Sequence, residues 1–308
     1  MIYTCTLNPA IDYRIDLSEY VKHGLNRAKK TSITPGGKGI NVSIVLKRLE
    51  RPSITLGFEG GFTGRFLKDY LKEVYGLKPE FINVEDQTRI NVKIAEESST
   101  KETEVNGPAP KVSDSDYERL IEKIKTLGPD DLLVLAGSDI DKRFNSYQTI
   151  ASICNERNVP FIVDSEKENV TSILKYGPLL LKPNLHELET IENRALETQE
   201  AIIRAGKRLV EQGAKHVIIS MGNEGAYFIN ATKAYYAKPL DGEVINTVGA
   251  GDSMVAGFID AYMETKDAFK AYQKSVAAGS ATAFNQGFAD KKSIDALMSA
   301  VEIREVDL

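Results

Sequence analysis

The segment Thr247-Val248-Gly249-Ala250-Gly251-Asp252-Ser253 joins small residues to a carboxylate and runs straight into Met254, Val255, Phe258, Ile259 and Tyr262 at helical spacing. Such a turn leaves backbone N–H groups free to meet an anion, and the helix it opens adds the positive end of its dipole. A phosphoryl group in transit is one such anion. Two roles are open to Asp252 in the first turn. It can cap the helix, the commoner duty of an aspartate there, or it can take a proton from a hydroxyl that attacks phosphorus. The usual nucleotide signatures are missing: no Gly-x-x-x-x-Gly-Lys-Ser/Thr occurs, and Gly249-Ala250-Gly251 lacks the third glycine of a dinucleotide fingerprint.

Three further constellations carry polar chemistry. Gly36-Gly37-Lys38-Gly39 followed by Asn41 opens an amphipathic helix; it reads either as a tight turn or as a loop whose glycines let a ligand approach while Lys38 and Asn41 donate to hydroxyls or phosphate. Upstream, Asn8-Pro9-Ala10-Ile11-Asp12 sets a carboxylate that can accept two sugar hydroxyls or serve only its turn. Lys182-Pro183-Asn184-Leu185-His186-Glu187 ends a strand, where open α/β sheets bind ligands; Asn184 and Glu187 have capping-box spacing, and Glu187 is also a candidate organiser of Mg²⁺ through water. Ser220-Met221-Gly222-Asn223-Glu224-Gly225-Ala226 closes another strand as a β-turn or as a small-residue seat for a nucleotide.

The elements that must position these residues follow from periodicity. Asp131–Gly137, Phe161–Asp164, Leu179–Lys182 and Val217–Ser220 read as buried parallel strands, each followed by a polar or glycine-containing turn. Val42, Val45, Leu46 and Leu49, then Tyr117, Leu120, Ile121 and Ile124, then Ile202, Ala205, Leu209 and Val210 repeat at helical spacing, as crossover helices do. Ile11–Leu17 and Arg89–Val105 alternate instead, which predicts a small separate sheet with Glu96–Lys101 as a hairpin turn.

Composition narrows the partners. A chain of 308 residues with a net charge of −5 and no dense Lys/Arg run has no footprint for nucleic acid or an anionic membrane, so a bound phosphate must be held locally. Cys5 and Cys154 stand far apart and His23, His186 and His216 are scattered, which argues against a disulfide or a zinc site. No basic n-region precedes an apolar run and no stretch is long enough to span a bilayer, so the expected location is cytoplasmic.

Taken together and in order, the four elements resemble the PfkB (ribokinase-like) family of carbohydrate kinases over residues 1 to about 288. Thr247–Ser253 is similar to its C-terminal signature, Gly36–Gly39 with Asn41 to its N-terminal one, and Asn184–Glu187 to its magnesium motif. The resemblance implies an α/β fold, a ribokinase-like three-layer αβα sandwich in one domain over 1–308, with a small β-sheet lid from about 11–35 and 88–107 that often forms a homodimer interface. Within the family, Leu7–Asp12, Leu25–Ala28, Gly36–Val42, Thr88–Lys93 and Glu102–Asn106 are similar to the 1-phosphofructokinase branch, which tagatose-6-phosphate kinase shares. One departure stands out: the family's Gly-Ser-x-Pro continues here as Gly137-Ser138-Asp139-Ile140.

By that resemblance the γ-phosphoryl group of ATP, with Mg²⁺, passes to the 6-hydroxyl of fructose 1-phosphate. Asp252 takes the proton and the backbone N–H groups of Gly249, Ala250, Gly251 and Asp252 meet the transferring charge. Asp12, Gly37 and Asn41 hold the sugar, with Ser138 beside it; Arg27, Lys38 and Arg89 are the candidates for its phosphate. Lys182, Asn184, Ser220, Gly222 and Gly225 fall to the nucleotide, and Glu187 to the metal. The competing readings are another sugar kinase of the family and a sugar or nucleotide sensor without turnover, against which the intact Asp252 argues.

Overall fold

The computed structural model describes residues 1–97 and 102–308. Among them one sheet runs, edge to edge, through Ile303–Val306, Ala234–Ala237, Ala226–Asn230, His216–Ser220, Leu180–Leu181, Phe161–Asp164, Leu132–Ala136, Ile2–Thr6, Ser53–Gly60 and Lys78–Pro79. The strands from His216–Ser220 to Lys78–Pro79 pair in parallel, and the three beyond His216–Ser220 pair antiparallel.

Strand alternation sorts the side chains onto two faces. Leu133 and Leu135 pack with Leu120, Ile124, Ile150 and Leu209 on one face. Leu132, Val134 and Ala136 pack with Val42, Val45, Val255 and Phe258 on the other. Every strand residue here is nearly inaccessible to water, and burying each large aliphatic side chain contributes roughly 1.5 to 3 kcal/mol. Helices cover both faces, which gives the three expected layers.

The predicted strands and helices fall where periodicity put them: Phe161–Asp164 is unchanged, Val217–Ser220 gains His216, and two strands are trimmed. Asp131–Gly137 shortens to Leu132–Ala136 and Leu179–Lys182 to Leu180–Leu181, which frees Gly137 and Lys182 to face the strand ends. The strand end that matters below, Asp164, is paired to the last residue.

A second sheet of four strands stands apart, in the order Lys30–Gly36, Ala10–Leu17, Arg89–Glu96, Glu102–Asn106. Lys30–Gly36 lies mostly within the 11–35 span that the resemblance assigns to the lid, though periodicity does not mark it, since Pro35 and a polar, non-alternating composition hide it. The predicted hairpin turn Glu96–Lys101 lies outside the described residues from Ser98 to Lys101. In register, Asp12 sits between Thr34 and Asn91, while Tyr13 sits between Ile33 and Val92. One face of this sheet is thus polar and the other apolar.

Candidate active site

The polar residues meet beyond the carboxyl ends of the parallel strands, where a sheet of this kind leaves its strand-end turns open to a ligand. The helix Ala250–Thr265 starts there, with Gly249 as its N-cap in left-handed backbone (φ 79°). A Cβ on Gly249 would lie 2.3 Å from Phe288 Cε1, so both the conformation and the space require glycine. No side chain caps this helix. The Ala250 amide donates to Thr247 O at 3.2 Å, so of the four amides expected to meet an anion, that one is already engaged. Among the described residues the amides of Gly251 and Asp252 have no such partner and remain open at the helix N-terminus.

Asp252 does not cap its helix. Its Oδ2 accepts from Asn41 Nδ2 at 2.8 Å, and the side chain is buried. Burial first, and then the nearby Asp164 carboxylate, push its pKa up to about 7, while the Asn41 hydrogen bond and the Lys38 and Lys182 ammoniums pull the other way. Asp164 itself is held below the usual carboxylate range: burial would raise it, but Lys182 and Lys38 outweigh burial. Lys38 Nζ lies 2.7 Å from Asp164 Oδ1 and Lys182 Nζ 3.3 Å from Asp164 Oδ2. Burial would lower the Lys38 ammonium, yet Asp164, Glu187 and Asp252 keep it above the ordinary lysine value.

Asp164 is the residue that sequence reasoning missed. It closes the apolar run Phe161-Ile162-Val163, and its signal was a charge at the carboxyl end of a buried parallel strand, 2% exposed in its side chain. Lys182 extends to the Gly249–Asp252 turn, for a Cβ on Gly251 would lie 3.1 Å from its Nζ. The carboxylate thus gathers two cations beside the two open amides.

The other constellations resolve as follows. Asn184 and Glu187 form a complete capping box, with Glu187 N donating to Asn184 Oδ1 and Asn184 N to Glu187 Oε2, both at 2.8 Å. Glu187 retains its Oε1, which lies 3.3 Å from Lys38 Nζ. Asn184 is engaged with its own helix, and neither it nor Lys182 lines the cavity that gathers the other three nucleotide candidates. That cavity, about 680 Å³, brings Ser220, Gly222 and Gly225 together with Thr247, Ala250 and Gly251. Gly279, Ser280 and Phe284 also line it; the small-residue run Ala277-Ala278-Gly279-Ser280 was their sequence signal.

On the lid side, Asn91 Nδ2 donates to Asp12 Oδ1 at 2.9 Å and Lys93 Nζ lies 3.6 Å from Asp12 Oδ2. Gly36 lets that carboxylate in: a Cβ there would lie 2.7 Å from Asp12 Oδ1. Arg89 donates from Nη2 to Asn8 O, while its buried Nε and the Oδ1 atoms of Asn8 and Asn91 have no partner among the described residues. Orphaned polar atoms gathered at one place fit a polar ligand. Gly37 starts the helix Lys38–Arg48 against Thr6, and Ser138 lies 3.5 Å from Asn8 Nδ2 through its Oγ. Arg27 stands apart, exposed on the connection between the first two lid strands. Lys38 is paired with two carboxylates, Asp164 and Glu187.

The raised Asp252 pKa carries a thermodynamic cost. Between about pH 4 and the value of about 7 the folded chain holds a proton that the unfolded chain, near the ordinary 3.8, has released. Stability therefore falls as pH rises through that window. Asp252→Asn removes the titration, so its melting temperature should match the parent near pH 4, exceed it increasingly up to pH 7, and hold a constant margin above. A margin that does not change with pH would show that Asp252 does not titrate in this window.

The family described as pfkB family carbohydrate kinase matches residues 6–294. A 1-phosphofructokinase of Bacillus subtilis is 40% identical over 98% of this chain and 99% of its own length. A D-tagatose-1-phosphate kinase of Bacillus licheniformis is 35% identical over 98% and 99%. The structure of phosphofructokinase-2 from Escherichia coli in complex with substrates and products superposes with a TM-score of 0.90 at 27% identity, over 97% of this chain and 99% of that one. The same E. coli protein has been solved as a tetrameric inhibited form. The chain belongs to the pfkB family of carbohydrate kinases.

Proposed function

We propose that this kinase transfers the γ-phosphoryl group of ATP to the 6-hydroxyl of fructose 1-phosphate, giving fructose 1,6-bisphosphate and ADP. The observation that carries the reading is the Asp252 carboxylate, held by Asn41 beside two open amides on a turn that lines a nucleotide-sized cavity. A base poised near neutrality suits proton removal from a hydroxyl. As the 6-oxygen attacks phosphorus, its proton passes to Asp252 and the bond from phosphorus to the β-bridging oxygen breaks. The Gly251 and Asp252 amides, with Lys182 alongside, stabilise the charge that builds on the moving group. Asp12, Asn41 and the Gly37 turn hold the sugar hydroxyls, and Arg89 is assigned to the 1-phosphate.

Among the described residues no three His, Cys, Asp or Glu side chains converge on one point. Mg²⁺ seldom needs such a cage, since it keeps water and takes phosphate oxygens. Glu187, with one oxygen turned to the site, fits a water-mediated holder of Mg²⁺. The ion would neutralise part of the nucleotide's negative charge.

A second acceptor is favoured by one specific observation: a relative at 35% identity is a D-tagatose-1-phosphate kinase. Tagatose 1-phosphate keeps the phosphate on C1 and differs from fructose 1-phosphate at C4, so both sugars present the same 6-hydroxyl. Tagatose 6-phosphate would have to be bound the other way round.

The lid also supports a homodimer. Its apolar face carries Ile33 and Ile90, 38% and 40% exposed, beside Phe62 and Phe66 at 61% and 40%. An apolar patch of this kind marks an interaction surface.

An ADP-release assay over a panel of acceptors tests the assignment. Fructose 1-phosphate should have a higher kcat/KM than tagatose 6-phosphate, fructose 6-phosphate or plain fructose, with tagatose 1-phosphate as its nearest rival. Arg89→Ala should erase much of the preference for phosphorylated sugar, about ten- to a hundredfold, with little change in the KM for ATP. Asp252→Asn should lower kcat by at least about 10²-fold. Plain fructose turned over as well as fructose 1-phosphate would sink the phosphate-pocket argument. For the lid, Ile33→Glu should convert a dimer to monomer in sedimentation equilibrium; a parent chain that sediments as a monomer would refute the interface.

A further inference from the structure

The loop that follows Leu132–Ala136 begins at Gly137, whose φ of 98° only glycine adopts comfortably. A Cβ there would meet nothing within 4 Å, so the conformation and not the space demands glycine. Its carbonyl accepts from two hydroxyls at once: Tyr147 Oη at 2.5 Å and Ser165 Oγ at 2.6 Å. Both donors are buried, and Asn169 Nδ2 donates to Ser165 Oγ at 2.8 Å, which fixes that hydroxyl's own direction. Burial raises the Tyr147 phenol well above its ordinary value, so it stays a donor at any working pH.

A trans peptide points its C=O and the following N–H in opposite directions. Two hydroxyls that hold the Gly137 carbonyl against the core therefore aim the Ser138 N–H away from it. Among the described residues that amide has no acceptor, and the Ser138 Oγ lies toward Asn8, at the root of the lid. The Gly137 amide is bound to Asp164 O at 3.0 Å, so the loop is tied to the same strand end that carries the charge cluster. Downstream, where the family's proline is missing, the Asp139 carboxylate takes over the shaping: it accepts from Ile140 N at 2.7 Å and from Ser146 N at 3.2 Å.

We infer that Tyr147 and Ser165 are positioning residues for acceptor recognition: they lock the Gly137–Ser138 peptide so that the Ser138 N–H and Oγ together form a two-donor seat for the phosphate that the sugar already carries. The inference rests on the acceptor reading above and deepens it. The seat is neutral, so it adds directional hydrogen bonds to the charge that Arg89 supplies. Either hydroxyl alone satisfies the carbonyl, so the two should substitute for one another.

The test is steady-state kinetics on Tyr147→Phe, Ser165→Ala, the double variant and Ser165→Thr, with fructose 1-phosphate and plain fructose as acceptors. Each single change should lower kcat/KM for fructose 1-phosphate only a few fold. The double variant should lose about 10²-fold, chiefly through KM, with unchanged KM for ATP and unchanged kcat/KM for plain fructose. In the Tyr147→Phe background, Ser165→Thr, which keeps a hydroxyl, should restore most of the loss. A double variant that loses activity equally with both sugars, or with neither, would overturn the inference while leaving the kinase intact. A parent enzyme without preference for the phosphorylated sugar would overturn the acceptor reading and this inference with it.

Discussion

The site depends on a single buried carboxylate, Asp164, which sits between Lys38 and Lys182 at the end of a central strand. An aspartate nearly removed from water would be costly if unpaired, and two ammoniums make it tolerable. In return it fixes those two cations at the helix N-terminus where negative charge must accumulate. The same carboxylate, by its repulsion, adds to the burial that keeps Asp252 on the edge of ionisation. One buried group therefore holds both cations in place and adds to the rise in the Asp252 pKa.

Everything around it serves to bring distant chain segments to this point. Lys38 comes from the first turn of a helix that starts on Thr6, Lys182 from a strand cut short, and Asp252 from the first turn of an uncapped helix. The helix Ala250–Thr265 is held at its far side as well, where Asp260 accepts from Arg51 at 2.8 Å and lies 2.7 Å from Lys274. The capping box of Glu187 illustrates economy of use: one carboxylate oxygen closes the helix while the other remains turned to Lys38.

Much of this was legible in the sequence because it is local. The Gly249–Asp252 turn, the Gly36–Gly39 loop and the capping box are written in consecutive residues, and the strand and helix periods placed them correctly. What the sequence hid was pairing at long range. Nothing near Asp164 marks it as more than the polar end of an apolar strand; its meaning comes from lysines on two other elements. Asn41 had been read as a sugar ligand, and only the fold puts its amide on Asp252. Local reading also does not show the partners these groups have within the chain: the Ala250 amide donates to Thr247, Asn184 caps its own helix, and Lys38 pairs with two carboxylates.

The central claim is that Asp252 acts as a base whose proton affinity is set by burial and by the Asp164 cluster. The most direct measurement is the pH dependence of kcat/KM for the acceptor, compared with the titration of the Asp252 carboxyl in the free enzyme by carbon-13 NMR. Both should show one ionisation at about 7, with activity rising as the proton leaves, and Lys182→Met should move both midpoints upward together. A carboxyl that titrates near its ordinary value, or an activity that rises at a pH where Asp252 does not ionise, would contradict the account.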